Sequence, residues 1–147
     1  MLPEGSLVYL LDEKGKRNWL VLGKGMIKLG AMGVVDGDRL LAAEDGAELT
    51  VAGKRFWLLV PGASEMMTAV ERGAQVITPK DAATILFELN IKSGDRVLEA
   101  GVGSAALTIA LLNQVRPWGQ VISMEIRSEF AEKGRRNVEK AGLGENW

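Results

Sequence analysis

Cysteine and histidine are both absent from the 147-residue sequence. Without cysteine the chain can form neither a disulfide nor a thiolate metal site. Without histidine it has no imidazole metal ligand, no Ser-His-Asp triad and no histidine general base. Carboxylates are still available to Mg²⁺ or Ca²⁺, but we predict no metal site.

An excess of charge of one sign is also missing. The 18 Lys and Arg residues are balanced by 19 Asp and Glu residues, which gives a net charge of −1. This balance excludes a strongly basic nucleic-acid-binding tail, although it leaves room for a local basic surface. Hydrophobic residues make up 47% and charged residues 25% of the chain, which is typical of a globular protein and not of a disordered one.

The sequence shows neither a leader peptide nor a long apolar run. Its first five residues lack a basic region followed by an apolar core. No apolar run approaches the ~18 residues that a membrane span requires. We therefore expect a soluble, cytoplasmic protein without a membrane partner.

Short apolar runs separated by glycine-containing turns occupy residues 1–62. Alternating or apolar runs bounded by such turns are typical of β-hairpins. The predicted hairpins pair 6–11 with 18–22 and 48–51 with 54–60. Residues 1–62 are therefore predicted to form a small all-β domain, either a barrel or a sandwich.

Residues 63–80 are predicted to be a linker with a short helix. Ser64 is the expected cap of that helix, which continues to about Arg72 before Gly73 ends it. The run Thr78-Pro79-Lys80-Asp81 then has the cap, the first-position proline and the third-position acid of a helix start.

A β-α-β-α pattern follows within residues 81–147. The apolar helix is expected to be buried on all sides. The last helix is predicted to begin with Ser128 as its cap, with Phe130, Gly134, Val138 and Ala141 on one face. The predicted elements are a strand at 96–99, a helix at 104–115, a strand at 120–125 and a helix from 128.

The chemically informative residues lie where the first of these strands meets its helix. Gly101-Val102-Gly103 allows a ligand to approach the backbone closely, and the helix N-terminus faces it. Glu125 ends the next strand, 22 residues after Gly103, where a carboxylate can accept from ribose hydroxyls. The competing interpretation is an ordinary βαβ unit with a glycine turn and a surface glutamate.

Two ligands fit this pattern. The spacing Gly101-x-Gly103-x-x-Ala106 satisfies a relaxed dinucleotide fingerprint, so NAD is one. S-adenosylmethionine is the other, and Glu99 favours it. An acid suits the zwitterionic methionine end of that cofactor, whereas it repels a pyrophosphate.

Three stretches of the sequence resemble one family, the tRNA (adenine-N1) methyltransferases that modify position 58 in bacteria and archaea. These stretches are Arg72–Asp81, Gly94–Ser104 and Glu125–Arg127, and residues 1–62 also resemble the N-terminal domain of that family. The resemblance implies an α/β fold, in which a small N-terminal β domain precedes the first half of a Rossmann-like S-adenosylmethionine-dependent methyltransferase domain over 81–147. It also implies a tRNA partner and a homo-oligomer, a tetramer in that family.

The resemblance further implies a set of cofactor-binding residues. The loop would contact the cofactor, Glu125 would hold the ribose, Phe130 would lie near the adenine, and Gln75 would line the pocket. Packing in the core is an equally good explanation of Phe130. The predicted site residues are Gly101, Gly103, Ser104, Ala105, Ala106, Leu107, Glu125, Phe130 and Gln75.

Three residues depart from the family pattern. Thr78 replaces a tyrosine associated with positioning the target adenine, and Val102 replaces a common threonine. Ala105 replaces a common third glycine, and its methyl group is expected near the methionine end of the cofactor.

The sequence ends after two strands of the expected sheet. The acidic residue that in the family handles the adenine amino group would lie beyond Trp147, so we predict no catalytic residue here. Half of a parallel sheet would also leave one edge and part of its faces uncovered. We therefore expect either a fragment of a longer protein, which we favour, or a second chain that completes the sheet.

The leading prediction is an S-adenosylmethionine-dependent tRNA adenine-N1 methyltransferase. The alternatives are a non-catalytic RNA-binding or scaffold subunit, an inactive fragment of such an enzyme, and a nicotinamide-dependent oxidoreductase fragment. Basic residues at two hairpin turns are the candidate RNA contacts, although such turns are often merely solvated. They are Lys14, Lys16, Arg17, Lys54 and Arg55.

Overall fold

A computed structural model of the chain describes residues 1–73 and 75–147. Ala74, which belongs to the Arg72–Asp81 stretch, lies outside the described residues. The chain divides into two compact units, Met1–Pro61 and Gly62–Trp147. Within the described ranges, no helix combines the length and the apolar character that crossing a membrane would need.

The first unit contains six strands in two antiparallel sheets. Four strands form one sheet in the order β2-β1-β6-β5, and β3 pairs with β4 in a separate hairpin. The two predicted hairpins are confirmed as β1 with β2 and β5 with β6. The strands are β1 Leu7–Asp12, β2 Arg17–Val21, β3 Met26–Lys28, β4 Val34–Asp36, β5 Glu48–Val51 and β6 Lys54–Leu59.

A helix in this unit corrects the prediction of an all-β domain. Helix α1 spans Gly37–Ala42, and the Asp36 side chain caps it by accepting from the backbone N–H of Asp38 at 3.0 Å. The helix buries Leu40 completely. Six residues are too few for a clear helical period, so the glycine and the two aspartates resembled a turn.

The closed barrel among the predicted alternatives is not formed. Strands β2 and β5 lie at the two edges of the four-stranded sheet. The sheet, the β3–β4 hairpin and α1 instead share one core, as in a small sandwich. The buried side chains of that core are Val8, Leu10, Leu20, Leu22, Val35, Leu40, Leu49, Val51, Phe56 and Leu58.

The second unit confirms the predicted β-α-β-α order. Its two strands are parallel, in a register that pairs Arg96 with Gln120 and Ala100 with Met124. Two further helices precede them. The elements are α2 Ala63–Thr68, α3 Pro79–Glu88, β7 Arg96–Ala100, α4 Ala106–Val115, β8 Gln120–Met124, α5 Ser128–Lys140 and a final 3-10 turn Gly144–Asn146.

The structure confirms one of the three predicted helix caps and contradicts the other two. Thr78 caps α3 as predicted, because its hydroxyl accepts from the Asp81 N–H at 3.3 Å. Ser64 is not a cap: α2 begins after Gly62 and ends at Thr68, short of the predicted end at Arg72. Ser128 is not a cap either, since Arg127 occupies that position.

Helix α4 forms the centre of the second core. Seven of its ten residues are buried, including Thr108, Ile109 and Leu112, as the all-round apolar pattern predicts. The predicted face of α5 buries Gly134, Val138 and Ala141 against this core, while Phe130 is half-buried. The segment 63–80 contributes Met67 and Val70 to the same core.

One face of the β7–β8 sheet is exposed, as expected for half of a parallel sheet. Side chains alternate between the faces of a strand. Val97 and Val121 belong to the core, whereas Leu98 is 66% and Met124 55% exposed. Ile122 is 43% exposed on the same face.

Gly134 lets α5 approach the loop after β7. A Cβ at this position would lie 2.4 Å from Val102 Cγ1 and 3.6 Å from Ala105 Cβ. Both neighbours are buried, so neither can move away without disturbing the core.

The variant Gly134→Ala is expected to destabilise the second unit by about 1 kcal/mol. Overpacking costs about 1–3 kcal/mol, and the gain in helix propensity, about 1 kcal/mol, offsets only part of it. Urea denaturation followed by circular dichroism measures the change. Gly144→Ala is the control, because nothing lies within 4 Å of its added Cβ, and it should change little. Equal stability of the two variants would refute the packing argument.

Candidate functional site

A cavity of about 250 Å³ lies at the C-terminal end of β7. Part of its lining comes from the loop that leads into α4, and part comes from residues 75–77. Six of the nine predicted site residues line this cavity. The lining residues are Gln75, Val76, Ile77, Glu99, Ala100, Gly101, Val102, Gly103, Ser104, Ala106 and Leu107.

The loop backbone has left-handed conformations that glycine adopts at little cost. Gly101 has φ of 87° and Gly103 has φ of 55°. Because glycine lacks a Cβ, such residues turn the chain sharply and leave its amide groups accessible. The predicted role of these two glycines, which is to let a ligand approach the backbone closely, stays a prediction.

Glu125 fastens this loop to the end of β8. Its Oε2 accepts from the N–H of Val102 at 3.0 Å and of Gly103 at 3.2 Å, while Oε1 accepts from the Arg127 N–H at 3.0 Å. The side chain is only 5% exposed. The Arg127 backbone hydrogen bond, followed by that of Gly103, lowers the pKa of this carboxyl below its ordinary value.

Sequence reasoning missed this internal role of Glu125. We predicted a carboxylate that grips a ribose, which stays a prediction, and the structure shows three backbone donors on it. A carboxylate oxygen can accept more than one hydrogen bond, so Oε1 retains capacity for a ligand hydroxyl. Glu125 lies beside a second groove, lined by Ala100, Gly101, Met124, Glu125 and Ile126.

Ala105 and Phe130 do not line the cavity. Ala105 is fully buried at φ of 60°, and its methyl group faces Gly134 of α5. The predicted position of that methyl group beside the ligand is therefore wrong, because the left-handed backbone turns it toward the core. The guanidinium carbon of Arg127 lies over the Phe130 ring, 3.9 Å from the ring centroid.

Glu99 brings a carboxylate to the cavity wall. It is 8% exposed, and its Oε2 accepts from Thr108 Oγ1 at 2.8 Å and from Ser123 Oγ at 2.7 Å. Trp147 Nε1 donates to the same Ser123 hydroxyl at 2.7 Å. Burial raises the pKa of the Glu99 carboxyl, and the two hydroxyl donors oppose that rise in part.

Ser104 and Asn137 form a polar contact that sequence reasoning also missed. Ser104 is 3% exposed, and its Oγ accepts from the Gly73 N–H at 3.0 Å. Asn137, on α5, donates to the Ser104 carbonyl at 3.1 Å. The sequence offered one signal for this contact. Asn137, a polar amide, directly precedes Val138, which lies on the apolar face of that helix.

Among residues 1–73 and 75–147, no group of three or more acidic side chains is placed to hold a metal ion. The cavity offers the Glu99 carboxylate, a glycine loop and the start of α4, and the groove that shares Ala100 and Gly101 with it offers the Glu125 carboxylate. These groups can accept hydrogen bonds from hydroxyl and ammonium groups of an organic ligand.

Comparison with known proteins identifies one sequence family. Residues 56–147 match the family described as tRNA methyltransferase complex GCD14 subunit. The tRNA (adenine(57)-N(1)/adenine(58)-N(1))-methyltransferase TrmI of Methanocaldococcus jannaschii is 38% identical over 90% of this chain and 46% of its own length. The tRNA (adenine(58)-N(1))-methyltransferase TrmI of Thermus thermophilus is 33% identical over 88% of this chain and 51% of its own. This chain thus spans about half the length of the curated relatives it matches.

Solved structures give a consistent picture of the fold. A SAM-dependent O-methyltransferase from Thermotoga maritima matches with a TM-score of 0.81 and 29% identity, over 99% of this chain and 55% of that protein. The tRNA (m1A58) methyltransferase TrmI from Aquifex aeolicus matches with a TM-score of 0.73 and 28% identity, over 99% and 56%. The predicted fold class, a small β domain followed by the first part of a Rossmann-like methyltransferase domain, is confirmed.

The variant Glu125→Gln is expected to lower stability at pH 7, because its amide NH₂ must face one of the backbone donors. Since the folded-state pKa of Glu125 is lowered, its stabilising effect is complete above the ordinary value of 4.5. It is lost as the pH falls through the lower folded value. The unfolding midpoints of wild type and variant should therefore converge in acid.

The matched control is Glu129→Gln, which removes an exposed carboxylate from the first turn of α5. It should leave the pH profile of the unfolding midpoint unchanged. If the unfolding midpoint of Glu125→Gln stays below that of wild type by a constant amount down to pH 3, the role assigned to Glu125 is contradicted.

Proposed function

We propose a function for this chain from one premise: the chain belongs to the family of the tRNA methyltransferase complex GCD14 subunit. The chain carries the S-adenosylmethionine-binding part of an enzyme that methylates N1 of adenine, at position 58, in tRNA. Because relatives of this kind are about twice as long, the complete reaction is proposed for the whole protein.

The observation that carries the proposal is the glycine loop held by Glu125 at the ends of two parallel strands. Ligands of open α/β sheets bind outside the carboxyl ends of the strands. Gly101 and Gly103 bring the backbone close to the cavity, and residues 75–77 also line it. This combination supports a bound nucleoside with a polar tail.

The charges at the cavity and at the groove that shares Ala100 and Gly101 with it fit S-adenosylmethionine better than NAD. Glu99 and Glu125 are both carboxylates, and a pyrophosphate beside them would meet repulsion. The cofactor's ammonium group would instead find an acceptor in Glu99, and its ribose hydroxyls would find one in Glu125 Oε1. When bound, this cofactor supplies an activated methyl group on sulfonium. The chain's own contribution is to orient it and to exclude water.

The adenine must leave its stack to reach such a methyl group, so the enzyme needs contact with folded RNA. Lys14 and Lys16 are exposed on the β1–β2 turn. Lys54 is the first residue of β6 and follows the β5–β6 turn. We propose these three as phosphate contacts. Arg55 is a weaker candidate, because it pairs with Glu13 and stacks over Trp57 at 5.4 Å.

Calorimetric titration of the 147-residue chain with S-adenosylmethionine and then with NAD tests the proposal. We expect saturable binding of S-adenosylmethionine only, and at least about tenfold weaker binding by Glu125→Ala. Glu129→Ala is the control and should bind like wild type. A folded wild-type chain that binds neither ligand, or prefers NAD, would overturn the cofactor assignment.

The variant Glu99→Gln is expected to have opposite effects on stability and on affinity. Because burial raises the folded-state pKa of Glu99 above the ordinary value of 4.5, the stability of the wild-type protein falls as the pH rises from that ordinary value through the folded one. A neutral glutamine keeps one acceptor oxygen for the Thr108 and Ser123 hydroxyls, so the variant should be at least as stable at pH 7. Its affinity for S-adenosylmethionine should fall about tenfold, since a charge-assisted hydrogen bond is lost.

Thermal unfolding and calorimetry at pH 7 measure both effects. Glu88→Gln removes an exposed carboxylate at the end of α3 and should change neither quantity. A Glu99→Gln variant with undiminished affinity would remove Glu99 from the proposed site.

A further inference from the structure

One buried amide joins three separate segments around the cavity. Asn137 Nδ2 donates to the carbonyl oxygens of Glu71 and Ser104, each at 3.1 Å. Its Oδ1 accepts from the Glu71 N–H at 2.9 Å. The residue is 5% exposed, so α5, the glycine loop and the segment after α2 are connected through a single side chain away from water.

Removing one partner of these hydrogen bonds would cost more free energy than forming them contributes. Asn137 uses both amide donors and its carbonyl acceptor on backbone groups. Removing the amide would leave the buried Ser104 carbonyl and the part-buried Glu71 carbonyl without that partner, and buried polar groups are costly to leave unpaired. By contrast, the Glu71 carboxylate pairs with Lys133 at 3.9 Å and with Arg136 at 4.0 Å on an exposed surface, where ion pairs contribute little.

A second contact strengthens the same connection. The Gly73 N–H donates to Ser104 Oγ at 3.0 Å. Glu71 and Gly73 are thus both attached to the loop and helix side of the cavity, only a few residues before Gln75 and Ile77, which also line it.

We propose that Asn137 is a positioning residue of the cofactor site. It holds the segment that carries Gln75 and Ile77 against the glycine loop, so that the cavity is already shaped before a ligand enters. The amide lies outside the cavity lining, and it acts on affinity through Glu71 and Ser104. This inference rests on the proposed function, because it names the determinant of cavity shape for that same cofactor.

The test compares Asn137→Ala with Val138→Ala in the 147-residue chain. Val138 is the next residue of α5 and is fully buried, so its truncation destabilises the same core without touching Glu71 or Ser104. Asn137→Ser is the second variant, for use if the alanine variant does not fold. The probe is S-adenosylhomocysteine, titrated well below the unfolding temperature of each variant.

We expect Asn137→Ala to bind at least about tenfold more weakly than wild type, which corresponds to about 1.4 kcal/mol. Val138→Ala should stay within about twofold of wild type despite its lower melting temperature. Wild-type affinity in a folded Asn137 variant would overturn the inference, and so would an equal loss in Val138→Ala.

Hydrogen exchange separates a failure of this inference from a failure of the proposed function. If the wild-type chain does not bind the probe, the cofactor assignment fails. Hydrogen exchange of the Gly73 amide then still tests the positioning role of Asn137, because that measurement needs no ligand. Exchange at Gly73 that is at least about tenfold faster in Asn137→Ala than in Val138→Ala supports the positioning role. Equal exchange rates overturn it.

Discussion

Three backbone N–H groups converge on the carboxylate of Glu125, and the shape of the candidate site depends on that convergence. Two of the donors, from Val102 and Gly103, belong to a loop with unusual backbone conformations, and the third comes from Arg127 at the start of α5. The N–H groups of Gly101 and Ala105 pair with backbone carbonyls, and the Glu125 carboxylate accepts from two N–H groups between them, which fixes the loop. The same carboxylate therefore organises the loop and faces the groove beside it.

The sequence predicted local elements well where short-range chemistry decides them. The cap at Thr78 and the first and last hairpins follow from residues within a few positions of one another, and the apolar pattern of α4 needs no tertiary information. Capping at Ser64 failed because α2 begins one residue after Gly62. A serine inside the first turn has the same sequence signature as a serine that precedes it.

The site was harder to predict than the fold, and Ala105 shows why. Spacing alone places this residue in the loop beside the ligand, but its φ of 60° directs the methyl group toward α5. Asn137 was missed for the converse reason: it is 33 residues from Ser104 in sequence, and only the tertiary structure brings the two together. Side-chain direction in a left-handed turn and contacts between distant segments are not encoded in periodicity. The family assignment supports a methyltransferase and gives no support to the scaffold alternative, while the individual site residues stay predictions.

The close approach of α5 to the loop has a consequence for how this sequence can change over time. Val102, Ala105 and Gly134 fill one small volume from two sides, so a larger residue at one of these positions is tolerated only with a smaller residue at another. Substitutions there are consequently not independent. An alanine at 102, for example, would relax the constraint on 134, because the clash there is with the Val102 side chain. We expect the three positions to vary as a set among related sequences, with their summed side-chain volume changing less than any one member.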